Sequence, residues 1–175
     1  DRKNTEAYLA RADLYASIDK KYSKAVDYYS KAIELEPENS EAYNNRGVSY
    51  HLLKDYRKAL ADFDKALELK ADYFEAYVNR GVVYKAMGDN GKALENFNKA
   101  LELEEEKAKS LSRPGNAYRP NAAIYYNLAR YYEAAGDEAK SKKYMSLASL
   151  LGIEHYATDF VTGDGILIPL YKLNF

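Results

Sequence analysis

Few side chains in this sequence could make or break covalent bonds. It contains two histidines, His51 and His155, and no cysteine, which excludes a Cys-His nucleophilic site. A metal site built on histidine would need carboxylates close by, and no spacing in the sequence brings them together. The glycine-rich motifs GxGxxG and GxxxxGK, which bind phosphate groups, do not occur. The sequence therefore predicts a noncatalytic protein that needs no cofactor and no metal ion.

A hydrogen-bonding pattern is more informative. Asn45, Asn79 and Asn127 each stand two positions after a tyrosine. An asparagine side chain carries a donor and an acceptor together, so a row of asparagines suits the backbone amides of an extended peptide. The bland interpretation is that asparagine is simply tolerated on a wet surface. We favour peptide contact as the hypothesis to test.

The asparagines belong to a unit that is written twice between residues 40 and 103. Six packing positions recur 34 residues later: Tyr43, Gly47, Tyr50, Ala59, Phe63 and Ala66 return as Tyr77, Gly81, Tyr84, Ala93, Phe97 and Ala100. Steps of three or four residues place the first three on one helix face and the last three on another. Neither helix buries its apolar face alone, so the units must stack on one another.

This period and these small and aromatic positions resemble the tetratricopeptide repeat family. The resemblance implies an all-α, right-handed solenoid of tandem helix-turn-helix repeats, whose first helices line an inner groove. We expect an array over residues 1–152, with repeats at about 5–38, 40–73, 74–105 and 122–152, an insertion at 106–121 and a C-terminal tail at 153–175.

Two local departures from the repeat are visible. The stretch from Tyr15 to Ala25 is one residue longer than its counterpart in the second unit, which predicts a looser turn at residues 19–21. Strong helix formers at residues 102–109 predict that the sixth helix runs a turn or two past the usual end. Pro114, with the glycine after it, then breaks that helix.

Arginine stands at one first-helix position where the family usually has leucine. Arg11, Arg46 and Arg80 occupy it in the first three units, and Leu128 occupies it in the fourth. The aliphatic stem of arginine can pack between helices while its guanidinium reaches water or lies on a tyrosine ring. We therefore interpret these arginines as packing residues.

The function that these features favour is a scaffold or adaptor for protein-protein interaction. We expect its groove to bind an extended peptide or a partner segment without catalysis. The expected contact residues are Asn45, Asn79, Asn127, Asn44, Val48, His51, Val78, Val82, Tyr126 and Arg130.

Composition limits the other classes of partner. Lys and Arg total 26 against 27 for Asp and Glu, so no strong field attracts nucleic acid or an anionic membrane surface. No apolar run approaches the 18 or so residues of a membrane span. We expect neither nucleic-acid binding nor membrane insertion. The compartment stays open between cytoplasm and bacterial cell envelope, because the sequence contains no targeting segment.

The tail at residues 153–175 belongs to no repeat. Its last ten residues, ILIPLYKLNF, are apolar and favour extended structure, with Pro169 among them. Repeat arrays usually end in a polar capping helix. The alternative function is therefore a self-assembling module, a homo-oligomer in which this tail docks in its own groove or in that of a neighbouring copy.

Overall fold

The computed structural model describes residues 2–111 and 122–151, and all regular structure within these ranges is helical. The last residues of the expected insertion and the whole expected tail lie outside the described residues. A π-helical turn, Leu14–Ile18, follows the first helix. In chain order the α-helices are α1 (Arg2–Asp13), α2 (Tyr22–Leu35), α3 (Ser40–Leu52), α4 (Tyr56–Leu69), α5 (Phe74–Ala86), α6 (Asn90–Leu111), α7 (Ala122–Ala134) and α8 (Glu138–Leu150).

The described helices fall into two compact units, with the boundary between Ala76 and Tyr77. In the first unit α1 packs on α2, α2 on α3, and α3 on α4. In the second unit α6 packs on α7 and α7 on α8. None of the described helices is long and apolar enough to cross a membrane.

The small and aromatic positions of the repeat form the contact inside each helix pair. Phe63 on α4 and Phe97 on α6 are completely buried. The Phe63 ring lies against the backbone of α3, where a Cβ atom added to Gly47 would be 2.8 Å from the ring carbon Cε1. At Gly81 on α5 the corresponding distance to Phe97 is 2.6 Å. Glycine is therefore required for the close approach of ring and helix.

Replacing Gly81 with alanine is expected to lower the free energy of unfolding by about 1 to 3 kcal/mol, because the Phe97 ring must move out of its site. The matched control is Gly91→Ala on α6, where an added Cβ would meet only Asp89 Oδ1, at 3.7 Å. This control should leave stability unchanged or raise it by up to about 1 kcal/mol. Urea unfolding of both variants gives the comparison. Equal stability of Gly81→Ala and the wild type would contradict the packing described.

The additional residue of the first repeat does not lie in the turn at residues 19–21, where the sequence predicted it. That prediction was wrong by a few residues. The surplus is absorbed in the π-helical turn Leu14–Ile18, and the amide of Asp19 donates to the carbonyl of Leu14 at 3.1 Å. A π turn closes over five residues rather than four, so the packing faces on either side are kept in register.

The predicted extension of the sixth helix is present. α6 has 22 residues, whereas α2 and α4 have 14 each. The described part of α6 ends at Leu111, and Pro114, which was expected to break the helix, lies outside the described residues.

A residue with a positive φ angle follows each first helix, two positions after the last helical residue. Gly88 and Gly136 adopt φ values of +83° and +76°, whereas Lys20 and Lys54 occupy the equivalent positions with 50° and 62°. For residues other than glycine this left-handed conformation costs about 1 to 2 kcal/mol of conformational free energy.

Lys54→Gly is therefore expected to raise the melting temperature, with a gain of up to about 1 kcal/mol after the larger entropy of the unfolded glycine chain is subtracted. The reverse exchange, Gly88→Lys, should lower it. Thermal unfolding followed by circular dichroism measures both melting temperatures. A lower melting temperature for Lys54→Gly would contradict backbone strain at Lys54.

Candidate peptide-binding surface

Asn45 on α3 lies on the side of that helix turned away from its own second helix, α4. Gly47 faces α4, and helix geometry places Asn45 about 160° around the axis from it. Val48 lies about 100° from Gly47, on the side opposite Arg46, whose guanidinium contacts Ser30 of α2 at 3.0 Å.

Asn45 has an unused hydrogen-bond donor. Its Oδ1 accepts from Nδ2 of Asn44 at 3.1 Å. Its own Nδ2 is buried and makes no hydrogen bond to any residue that the structure describes. A buried amide hydrogen without an acceptor costs about 1 to 3 kcal/mol, so this donor is available to an added carbonyl group.

Asp13 on α1 and Tyr29 on α2 form a buried polar pair that the sequence analysis missed. The Tyr29 hydroxyl donates to Asp13 Oδ1, and the two residues are 0% and 6% exposed for Tyr29 and Asp13. Asp13 Oδ2 is buried and finds no partner within the described ranges. Burial raises the pKa of the Asp13 carboxyl to about 7, opposed by the hydrogen bond from Tyr29 and aided by the charge of Glu41.

A sequence signal for this pair does exist. The equivalent positions hold Val48 with Phe63 in the second repeat and Val82 with Phe97 in the third repeat. In the first repeat an aspartate and a tyrosine thus stand where the next two repeats have a valine and a phenylalanine. Such a joint exchange of two apolar residues for two polar ones indicates that they are in contact.

His51 belongs to the packing between α3 and α4. Its ring lies 5.5 Å from the ring of Tyr56, centroid to centroid, and it is 3% exposed.

The second unit carries the rest of the predicted contact residues on α5 and α7. Asn127 donates from Nδ2 to the carbonyl of Ala123 at 3.0 Å, one turn earlier on α7. Tyr126 is half-buried. Arg130 is exposed and pairs with Glu133 at 2.7 Å.

Eight of the ten predicted contact residues are at most 3% exposed. The sequence suggested asparagines on a wet groove, whereas the structure places them out of contact with bulk water. The eight residues are Asn44, Asn45, Val48, His51, Val78, Asn79, Val82 and Asn127. Binding through them would need the displacement of whatever covers them.

Arg46 ties three helices together. Its Nε and Nη2 donate to the two carboxylate oxygens of Asp62 on α4, both at 2.8 Å, and Nη1 donates to Ser30 on α2. The guanidinium also lies over the rings of Tyr43 and Tyr50, at 5.5 and 5.9 Å. Stacking on tyrosine was expected from the sequence, but the carboxylate partner was not.

The spacing that could have revealed this partner is 16 residues. It separates Arg46 from Asp62, and it also separates Arg80 from Asn96, whose Oδ1 accepts from Arg80 Nε at 2.8 Å. Burial raises the pKa of Asp62, against the hydrogen bond and charge of Arg46. Hydrogen bonds to Asp62 in turn raise the pKa of Arg46.

No group of three or more histidine or acidic side chains within residues 2–111 and 122–151 is arranged to hold a metal ion.

Comparison with known proteins gives family and fold. Tetratricopeptide repeat models match residues 38–106 and 122–150, and a TPR repeat model matches residues 20–54. No curated protein sequence matches.

Three solved structures illustrate the likeness of fold. A crystal structure of MamA is 24% identical with a TM-score of 0.65, covering 89% of this chain and 82% of that one. The first TPR of Spaghetti (RPAP3), bound to an HSP90 peptide, is 24% identical with a TM-score of 0.58, covering 83% and 96%. The Arabidopsis OM64 TPR domain is 27% identical with a TM-score of 0.57, covering 59% and 85%. The predicted all-α fold of paired helices is confirmed, and the chain belongs to the tetratricopeptide repeat family.

Proposed function

We propose that this chain is a noncatalytic scaffold whose first helices bind an extended peptide or partner segment. The observation that supports it best is the unused donor of Asn45, which is buried beside an apolar residue, Val48. The carbonyl of an extended peptide would accept from this donor, and its apolar side chains would pack against Val48. A polypeptide supplies both groups.

Family membership and one relative support a binding role. Tetratricopeptide repeats typically serve as noncatalytic interaction modules, so the proposal assigns the chain no reaction and no cofactor. The RPAP3 relative is bound to an HSP90 peptide, which demonstrates for that protein that the fold accommodates a peptide. The near balance of 26 basic and 27 acidic residues favours a protein partner over nucleic acid.

The proposed contact residues are assigned unit by unit. In the first unit Asn45 supplies the hydrogen bond and Val48 the apolar contact, with Asn44 holding the Asn45 side chain in place. In the second unit Asn79 and Asn127 are the corresponding asparagines. Their apolar and charged neighbours are Val78, Val82, Tyr126 and Arg130.

The test uses peptides selected from a random display library on the full chain. Asn45→Ala combined with Asn79→Ala is expected to weaken the selected peptides at least tenfold by calorimetry, since each lost hydrogen bond is worth about 1 kcal/mol. The melting temperature should fall as well, because both side chains are buried and Asn45 Oδ1 accepts a hydrogen bond from Asn44, so circular dichroism checks that the double variant remains folded.

The matched control is Asn98→Ala, which removes an exposed asparagine from a second helix, α6. Its affinity for the selected peptides should equal that of the wild type. Unaltered affinity in the double variant would reject the asparagines as the binding residues.

A further inference from the structure

One face of the first helix is covered in the second repeat. On α3 this face carries Ala42, Arg46 and Ser49, which follow one another at steps of four and three residues and therefore share one side of the helix. Ala42 and Ser49 are completely buried. Ala42 belongs to the same core cluster as Ile33 of α2. Arg46 donates to the hydroxyl of Ser30, also on α2, at 3.0 Å. The second helix of one repeat thus covers this face of the next first helix.

The same face of the first repeat is open to solvent. The residues equivalent to those on α3 are Ala7, Arg11 and Leu14, each 35 positions earlier. All three are exposed, and Leu14 is 48% exposed. We call these three residues the end face. Because a leucine stands where α3 has Ser49, the open face is more apolar than the covered one.

Arg11 also lacks the carboxylate that its counterpart has. Arg46 donates to both carboxylate oxygens of Asp62, whereas the equivalent residue in the first repeat is Tyr28. The guanidinium of Arg11 lies over the ring of Tyr15 instead, 5.6 Å from its centroid. No carboxylate among the described residues pairs with it. A carboxylate supplied by another molecule would therefore form a charge-assisted hydrogen bond with Arg11.

Two lysines of α2 surround the same tyrosine rings. Lys24 Nζ lies 5.4 Å from the ring centroid of Tyr15, and Lys31 Nζ lies 5.1 Å from that of Tyr28. The two rings are in contact, with 5.4 Å between their centroids. Asp27 is the one acidic residue between the two lysines in the sequence. Positive charge therefore prevails beside the end face, which favours an acidic partner.

The second helices of the first two repeats show what fits such a face. They share a motif of an aliphatic residue, a hydrogen-bond acceptor four positions later and an aliphatic residue three positions after that. The motif consists of Val26, Ser30 and Ile33 on α2, and of Leu60, Asp64 and Leu67 on α4. Its spacing places all three side chains on one side of the helix. On α2 the last two of them meet α3.

The last described helix, α8, does not carry this motif. Ala148 on α8 is completely buried, as is the equivalent Ala32 on α2. Counted from these alanines, α8 has Lys142 and Ser149 at the two aliphatic positions, and both are exposed. A lysine and a serine give little apolar contact to Leu14. Stacking of a second copy through α8 is therefore disfavoured, and a helix of another protein fits better.

We propose that the end face docks an amphipathic helix of a partner protein, which carries two aliphatic residues seven positions apart and an aspartate between them. The aliphatic residues pack on Ala7 and Leu14. The aspartate accepts from the guanidinium of Arg11, as Ser30 accepts from Arg46 inside the chain. This binding surface is additional to the asparagines of the proposed function and does not depend on them.

The probe is a synthetic peptide with the sequence of α4, which carries the motif. Phe63→Ala removes the ring that α4 places against its own first helix, so that the probe no longer fits that site. A lactam bridge between Lys58 and Asp62, four positions apart, holds the peptide helical. Both bridged positions lie on the side of the helix opposite Leu60, which leaves the motif free to bind.

Titration of the probe into the ¹⁵N-labelled full chain is expected to shift the backbone amide signals of Ala7, Arg11 and Leu14. Asp64→Lys in the probe should weaken binding about fivefold or more, because it replaces the attraction to the arginine with repulsion. If millimolar probe shifts none of these three signals, the proposal is overturned.

Reversal of both charges tests the contact itself. Arg11→Glu in the protein should weaken the original probe and tighten the Asp64→Lys probe, so that the reversed pair binds within about twofold of the original pair. The matched control is Arg57→Glu, at an exposed position on α4, and it should leave both affinities unchanged. Equal weakening of both probes by Arg11→Glu would overturn the ion pair.

Two measurements separate the end face from other binding modes. Asn45→Ala combined with Asn79→Ala should bind the probe as the wild type does; loss of probe binding would place the probe on the asparagines and overturn the proposal. Light scattering on the full chain alone should give equal masses for the wild type and Leu14→Lys. A lower mass for Leu14→Lys would assign the end face to a second copy instead.

Discussion

Arg46→Leu is expected to lower the free energy of unfolding by about 3 to 5 kcal/mol, the largest effect of any substitution considered for this chain. The side chains of Arg46 and Asp62 are 19% and 8% exposed and are joined by two hydrogen bonds of 2.8 Å. Removing the guanidinium leaves the Asp62 carboxylate buried without its counter-ion, which is the costly way to break such a pair. Chemical unfolding in urea measures the loss.

A matched variant separates the charge from the packing. Adding Asp62→Leu to Arg46→Leu should recover most of the loss, because no buried charge then remains. If the double variant were no more stable than Arg46→Leu, the carboxylate of Asp62 could not be desolvated as described.

The second large effect concerns Asp13 and pH. Burial raises the pKa of this carboxyl from the ordinary 3.8 to about 7, so between these values the native state holds a proton that the unfolded state has released. The contribution of Asp13 to the free energy of unfolding therefore falls as pH rises from about 4 to about 7, and this contribution is constant above pH 7. At 1.36 kcal/mol per pKa unit the upper bound of this change is about 4 kcal/mol.

Asp13→Val with Tyr29→Phe copies the apolar pair found in the next two repeats, as Val48 with Phe63 and Val82 with Phe97. The double variant should lose this part of the pH dependence and be more stable than the wild type at pH 8. Asp13→Asn, which keeps an acceptor for the Tyr29 hydroxyl, should flatten the pH dependence in the same way. Urea unfolding at pH 5 and pH 8 gives the slopes, and an unchanged slope in both variants would contradict a buried Asp13 with a raised pKa.

The repeat period was enough to predict the helix pairs and their core. Gly47 and Phe63 are spaced as the family requires, and the sequence placed them on facing helices, where the structure has them. A glycine faces an aromatic ring because only a residue without Cβ permits such close approach. This relation repeats with the period, so sequence alone exposes it.

The features that the sequence did not predict are those that occur once or that depend on contacts between unlike helices. The π turn at Leu14–Ile18 absorbs a single additional residue, and a residue count cannot say where along a helix and turn it is absorbed. The pairing of Tyr29 with Asp13 occurs only in the first of the repeats that the structure describes. Burial of Asn45 and Asn79 depends on what lies over them, which helical periodicity does not specify.

The side-chain amide signals of the asparagines report most directly on whether the first helices bind a peptide. A selected peptide should be titrated into ¹⁵N-labelled full chain, with the exposed side chain of Asn98 as an internal reference. We predict that the Asn45 side-chain NH₂ signal shifts downfield as its donor gains an acceptor, while the Asn98 signal stays in place. If the Asn45 signal does not move when the protein is saturated with peptide, the peptide binds elsewhere.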